Sequence, residues 1–452
     1  MHDRTLTQGD VKSTLIRFTL PFLAATLLQF LYGAVDLIIV GQFCDPASIT
    51  GVSVGSQLTH TITSGITGLA TGGTVLVGQY IGARRDKDVS RTIGTMFTLF
   101  AIIAVVLTVV FTLGTNTIVA LMQVPEEAVA PARQYLFICS CGIIFSTGYN
   151  MVSSILRGLG DSKRPMYFIA ISCILNVIGD LILVGPCSLG AAGAAIATIA
   201  AQAVSLILSL VVLKRQSFPF DFKRSGFRLR REKASSLLRL GAPVAIQNVL
   251  VSLSFLIITA IINNMDVVAM SAATGVTERV LNFAFLAPAA FIASISAMVA
   301  QNMGARQPER AYSTMKYGMI FCLIIDVALF VLIQLFPGPI VGLFTPDAEV
   351  ARHGILYLRT YGIDCLLVSF VFCLDGFFSG CGCTKFTMLN CLVATFAVRV
   401  PVVFIISLIP GITLFHIGIA APVASVVQII MQLIYLRTGR WNRSVLAPEG
   451  AP

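Results

Sequence analysis

Long apolar stretches alternate with short polar ones along the whole chain. No Asp, Glu, Lys or Arg occurs in 46–83, 92–125, 134–156, 181–213, 240–265, 280–305 or 400–436, and each stretch has at least 23 residues. A helix of about 20 apolar residues crosses a bilayer. Lipid offers a backbone no hydrogen-bond partners, so only helices and closed barrels span it. Barrel strands alternate apolar and polar positions over about 10 residues, and these uniform stretches do not. The pattern predicts an all-α polytopic membrane protein with twelve transmembrane helices: 15–43, 51–79, 92–114, 133–156, 165–186, 190–213, 237–263, 267–301, 314–336, 353–379, 386–409 and 415–437.

Composition agrees. Charged residues make up 12% of the 452 and the mean hydropathy is +0.88, against about 25% charged in soluble proteins. A disordered chain and a soluble globular domain are both excluded. The net charge of +10 acquires meaning from its placement. One set of connections holds Arg84, Arg85, Lys87 and Arg91; Arg157, Lys163 and Arg164; Arg306, Arg310 and Lys316; Lys385; and the basic segment 214–236. The alternate set holds Asp45, Glu126, Glu127, Asp266, Asp347 and Glu349. Cationic loops stay in the cytoplasm, so both termini, the last with Arg437, Arg440 and Arg443, are expected there, in a bacterial inner membrane. The charge reports topology and attraction to lipid surfaces, and no nucleic-acid partner is expected. Polar residues 1–14 precede the first span without a cleavage signal. Most of the 11 Cys fall in apolar runs, where a thiol behaves as a small hydrophobe. Neither metal–thiolate centre nor cofactor is expected.

A shift of 222 residues superposes the two halves. Val77, Gln79, Gly82, Ala83, Arg84 and Thr92 fall on Val299, Gln301, Gly304, Ala305, Arg306 and Thr314; Arg17 and Pro21 fall on Arg239 and Pro243; Gly158, Gly160, Lys163 and Met166 fall on Gly380, Gly382, Lys385 and Met388. Chance would give about one identity in the 77–92 window. The chain is therefore a duplication. It divides into an N-lobe (1–213), a basic cytoplasmic linker (214–236) and a C-lobe (237–452), two pseudo-symmetric six-helix bundles. Parallel repeats of this kind build transporters that rock about a path between the halves.

Charges inside the membrane cost about 2.5–3.5 kcal/mol each at the bilayer centre, so a functional role is their default reading. Asp36 lies roughly 28 Å along the first span from Arg17, and Asp180 roughly 22 Å along the fifth from Pro165, at 1.5 Å per residue. Asn176 shares a helix face with Asp180. Thr198 lies at the same depth on the sixth span, with Gln202 one turn further. Asp36, Asn176, Asp180 and Thr198 are thus a candidate site for a proton or for Na⁺, since oxygen ligands suit a hard cation. Pro21 permits a bend in the span carrying Asp36. Tyr32, Tyr149, Gln57 and Gln202 are candidates along a substrate path, the aromatics through cation–π contact. At +222 the second half has Ile258, Val398 and Val402 in place of Asp36, Asn176 and Asp180. It carries Glu278, Asp364 and Arg399 instead, a candidate polar network read as an ion pair or as a coupling or substrate site. Asp326 and Asp375 are weaker candidates. No GxxxxGK[ST] loop occurs, so an ion gradient is the expected energy source.

The runs Pro21 through Tyr32-Gly33-Ala34-Val35-Asp36 to Val40-Gly41, Gly78-Gln79-Tyr80-Ile81-Gly82-Ala83 and Leu156-Arg157-Gly158-Leu159-Gly160-Asp161 resemble the multidrug and toxic compound extrusion family. The second half repeats them as Ala300-Gln301-Asn302-Met303-Gly304-Ala305 and Ser379-Gly380-Cys381-Gly382. The resemblance covers about 10–440. It implies two six-helix lobes and a monomeric secondary antiporter that exports organic cations or drugs in exchange for H⁺ or Na⁺. It also implies a cation site at Asp36, Asn176, Asp180 and Thr198 and a bend at Pro21, as in the prokaryotic branch with an acidic first lobe. Membrane lipids are the other expected partner. A flippase for a lipid-linked or other endogenous amphiphile is the alternative, although it would want more intramembrane cations than Arg279 and Arg399. A membrane enzyme is not expected, because His60 and His416 are isolated.

Overall fold

The computed structural model describes residues 6–215, 226–265 and 267–442. Lys223 and Arg224 of the basic segment, Asp266 and Arg443 lie outside the described residues. The helices are α1 (Val11–Phe43), α2 (Pro46–Gly82), α3 (Asp86–Leu121), α4 (Glu126–Cys141), α5 (Ile143–Gly158), α6 (Lys163–Leu183), α7 (Gly190–Arg215), α8 (Arg231–Asn263), α9 (Val268–Ala284), α10 (Leu286–Gly304), α11 (Pro308–Leu335), α12 (Pro337–Gly342), α13 (Ala348–Tyr361), α14 (Asp364–Gly380), α15 (Thr384–Leu392), a π-helix (Val393–Arg399), α16 (Val400–Ser407), α17 (Leu414–Gly418) and α18 (Ala420–Arg437). No strand occurs among the described residues.

Among the described residues nine helices are long and apolar enough to cross a membrane, and two bent pairs raise the number to eleven. The pairs are α4–α5, bent by 47°, and α13–α14, bent by 45°. They correspond to the fourth and tenth predicted spans. The second predicted span is α2, whose 37 residues are diluted by Gly, Ser and Thr. Two further spans differ from simple rods. The eighth breaks at Phe285 between α9 and α10. The eleventh widens into the π-helix ahead of Pro401. A proline has no N–H to donate four residues back, and its ring pushes that carbonyl away. A widened turn just upstream accommodates both effects.

The duplication recurs in backbone geometry. Arg84 and Arg306 both turn left-handed, at φ 56° and 57°, closing α2 and α10. Gly160 and Gly382 do the same at 87° and 86°. A Cβ on Gly158 would meet the Thr74 carbonyl at 2.9 Å, and one on Gly380 the Ser296 carbonyl at 2.7 Å. Each pair is 222 residues apart, so the same close crossing was copied with the sequence.

Two compact units emerge: Leu20–Ala245 and, with Leu6–Thr19, Ile246 onward. They depart from the lobes drawn along the sequence in one respect. α1 runs unbroken through Pro21, and α8 through Pro243, yet each changes unit within two or three residues of its proline. The N-terminal end of α8 packs in the first unit. There the Lys233 ammonium donates to Asp88 at 2.9 Å and to the Tyr80 hydroxyl at 2.6 Å, and Phe227 meets Phe97 edge-on. The segment before α1 packs in the second unit. There Arg310 donates to the carbonyls of Gly9 and Gln8 at 2.7 and 2.9 Å, and Lys12 lies over Tyr317. The two anchors sit at equivalent turns, α2–α3 and α10–α11.

Close crossing of α2 and α8 in the first unit depends on Gly72, whose Cβ would lie 2.6 Å from the Gly241 nitrogen. Backbone cannot give way as a flexible side chain can. Gly72→Val is expected to destabilise the protein by about 1–3 kcal/mol, as overpacking does, seen as a lowered melting temperature in detergent.

Candidate functional site

α6 turns a polar stripe inward. Its buried side chains are Pro165, Phe168, Asn176 and Asp180, while Ile171, Ile174, Leu175, Ile178, Leu181 and Ile182 are exposed. Lipid is the solvent here, so an apolar outer face and a polar inner face are the stable arrangement. Gly179 lets α6 approach α7, since its Cβ would sit 2.9 Å from that of Ala197. The approach brings Asn176 Nδ2 to the Thr198 hydroxyl at 3.3 Å. Asp36 on α1 completes the group, its carboxyl within hydrogen-bonding reach of that of Asp180. Tyr32, one turn before Asp36, reaches Thr198 with its hydroxyl.

All four predicted cation-site residues are buried: Asp36, Asn176, Asp180 and Thr198. What distinguishes the cluster is a surplus of acceptors. Asp36 Oδ1, Asn176 Oδ1 and both carboxyl oxygens of Asp180 lack a hydrogen-bond donor. A buried acceptor left unpaired costs about 1–3 kcal/mol. Two facing carboxylates cannot satisfy one another, whereas a shared proton or a bound cation satisfies both. The oxygen-only donor set fits Na⁺ as well as H⁺. Tyr135 and Cys139 on α4 lie near Asp36, with Thr59 on α2 beside Cys139; spacing along the sequence does not single them out, because their partners lie on other spans.

The path candidates separate. Gln202 lines a small cavity with Thr198, Thr59 and Cys139, next to the acids. Gln57 is exposed and does not line that cavity. Tyr149 lies apart from the acids, near the start of α6: its hydroxyl donates to the Pro165 carbonyl at 3.1 Å, and Arg157 nearby stacks over Phe22.

In the second unit the expected ion pair of Arg399 with Glu278 or Asp364 is not formed. Arg399, the last residue of the π-helix, donates from Nη2 to the Tyr361 hydroxyl at 2.7 Å. Its guanidinium lies 4.6 Å from the Phe255 ring centre and 5.4 Å from that of Tyr361. Glu278 and Asp364 stand near enough to feel its charge, with Asp364 held by Ser425. The weaker candidates are placed too. Asp326 accepts from Ser369 and from Cys322, and Asp375 accepts from Gln432 at 2.9 Å.

A duplicated bundle of membrane-spanning helices with polar sites buried in the lipid layer is the architecture of a transporter. The sequence profile of the MatE family matches the chain twice, at 21–182 and 243–405. The chain therefore belongs to the MatE family of multidrug efflux transporters, multi-pass membrane proteins that are not enzymes. It is 26% identical to the probable multidrug resistance protein YoeA of Bacillus subtilis, over 92% of this chain and 91% of the relative. It is 25% identical to the probable multidrug resistance protein NorM of Thermotoga maritima, over 97% and 95%. Its fold matches that of a MOP superfamily transporter from Pyrococcus furiosus with a TM-score of 0.92, 22% identity and coverage of 98% and 99%.

If the acid pair is short of a donor, Asp180→Asn supplies one to Asp36. That variant is expected to melt higher than wild type in sodium-free buffer, by the equivalent of about 1–3 kcal/mol. An unchanged melting temperature by scanning fluorimetry would mean that the pair is already satisfied.

Proposed function

We propose that the chain is a secondary antiporter that exports organic cations or drugs in exchange for H⁺ or Na⁺ by alternating access. The observation that carries this reading is the orphaned carboxyl pair Asp36–Asp180, whose oxygens ask for a positive charge. Relatives described as multidrug resistance proteins support a drug-like cargo. Asp36 and Asp180 hold the coupling ion, Asn176 and Thr198 complete its oxygen shell, and Tyr32 with Gln202 lines the way to it.

Binding of the ion removes the repulsion between α1 and α6. Release restores it. α1 also contains Pro21, where one backbone hydrogen bond is missing and bending is cheap, so loading of the acid pair is converted into a change of shape in α1. Each elementary charge moved through 100 mV supplies about 2.3 kcal/mol, enough to bias such a two-state helix. The protein works as a monomer in the bacterial inner membrane, with the basic loops and both termini in the cytoplasm.

Export of ethidium from reconstituted vesicles tests the reading, with a pH gradient and a Na⁺ gradient imposed separately. One gradient is expected to drive export, and Asp36→Asn is expected to reduce it to the rate of protein-free vesicles. Wild type inactive under both gradients would remove the organic-cation antiporter and leave transport of an endogenous amphiphile.

A further inference from the structure

Asp375 is an acid that the duplication did not supply. It is buried within α14, about 10 Å along the helix from the turn at Gly382 at 1.5 Å per residue. Its neighbours along α14, Cys373, Leu374 and Phe377, belong to the apolar core of the second unit. At the equivalent position the first half has Ser153, and the Gly158 crossing that follows it is as close as that of Gly380. The crossing therefore needs no carboxyl there, and an acid buried within a span calls for a use.

The groups around it are amides. Gln432 on α18 donates from Nε2 to Asp375 Oδ1 at 2.9 Å and to the Val371 carbonyl at 3.2 Å, which engages both amide hydrogens. Gln432 is fully buried, and its Oε1 has no donor; such an unpaired acceptor costs about 1–3 kcal/mol. Gln247 on α8 faces the same carboxyl, where the first half has Ala25. No cation pairs with Asp375 among the described residues. α10 carries no titratable side chain. Asp326 on α11 is engaged by Ser369, Tyr435 on α18 by Cys383 and Arg399 by Tyr361. The titratable group beside Asp375 is the Cys391 thiol on α15.

An amide offers a donor and an acceptor side by side, and so does an un-ionised carboxyl group. A carboxylate offers acceptors alone, and it leaves Gln432 Oε1 without a donor. One proton on Asp375 Oδ2 completes the match: Nε2 donates to Oδ1, and the new O–H donates to Oε1. A metal ion would meet the amide hydrogens instead. We infer that Asp375, paired with Gln432, is a proton-binding site of the second unit, separate from the Asp36–Asp180 pair, and that its proton exchanges with the solution. The inference deepens the antiport reading by giving the cycle a second proton, and it rests on that reading only there.

Infrared spectroscopy of the purified protein reads the proton directly, because the carbonyl stretch of an un-ionised carboxyl group is separate from the carboxylate bands. The doubly substituted Asp36→Asn, Asp180→Asn protein serves as the parent, so that the first site is silent. Added to that parent, Asp375→Asn and Asp375→Ser are each expected to remove an un-ionised carboxyl band while the protein still melts cooperatively; the serine is what the first half carries at this place. The band is expected to vanish reversibly on alkalinisation. Gln432→Leu is expected to move it to higher frequency, because Oδ1 loses its donor. A glutamine merely packed against a carboxylate gives none of these changes. A parent without the band, a band that survives both substitutions, one that alkalinisation leaves unchanged, or one that Gln432→Leu does not move overturns the site. Wild-type export that fails under both gradients, with the band behaving as expected, counts against the antiport reading alone and leaves the proton site standing.

Discussion

The absence of water in the hydrocarbon layer is the constraint from which the rest follows. Every backbone N–H and C=O must find a partner within its own segment, so the chain is helical throughout its spans. The same constraint turns α6 inside out, with Ile and Leu toward lipid and Asn176 and Asp180 toward the interior. It also makes each unsatisfied polar atom conspicuous. Some hydroxyls return a hydrogen bond to a carbonyl on their own helix, as Thr26, Thr95 and Ser254 do. Four acceptor atoms without a donor meet at Asp36, Asn176 and Asp180, and a transporter can use such an unmet demand as its handle on an ion.

Duplication supplied a scaffold, and divergence supplied two different chemistries on it. The left-handed turns at Arg84 and Arg306 agree in φ, and the glycine crossings at Gly158 and Gly380 in close approach, because helix approach through a missing Cβ tolerates little drift. The polar content was free to change. Where the first half has Asp36, Asn176 and Asp180, the second has Ile258, Val398 and Val402; where the second has Glu278, Asp364 and Arg399, the first has Ser56, Gly142 and Val177. One unit therefore presents paired acids and the other a cradled cation. The proline helices α1 and α8 are shared, each with its N-terminal end in the unit to which its C-terminal part does not belong. A bend at Pro21 or Pro243 is thus placed where a chain leaves one compact body for another.

The sequence by itself determined the class of protein, its spans, its duplication and the first acid cluster. Uniform apolar length, fixed spacing and helical rise are local quantities, and they suffice to put Asp36, Asp180 and Thr198 at one depth. Only the tertiary structure decided what each polar side chain meets around the helix axis. Spacing could not tell that Tyr149 bonds the Pro165 carbonyl near the start of α6 while Tyr32 reaches Thr198. Nor could it reveal that Tyr135 and Cys139 lie near Asp36, that the eleventh span widens into a π-helix, or that Arg399 takes Tyr361 and Phe255 as partners in place of a carboxylate. Depth follows from counting along one chain; facing depends on how several helices rotate to bury their polar stripes together, and no single segment carries that information.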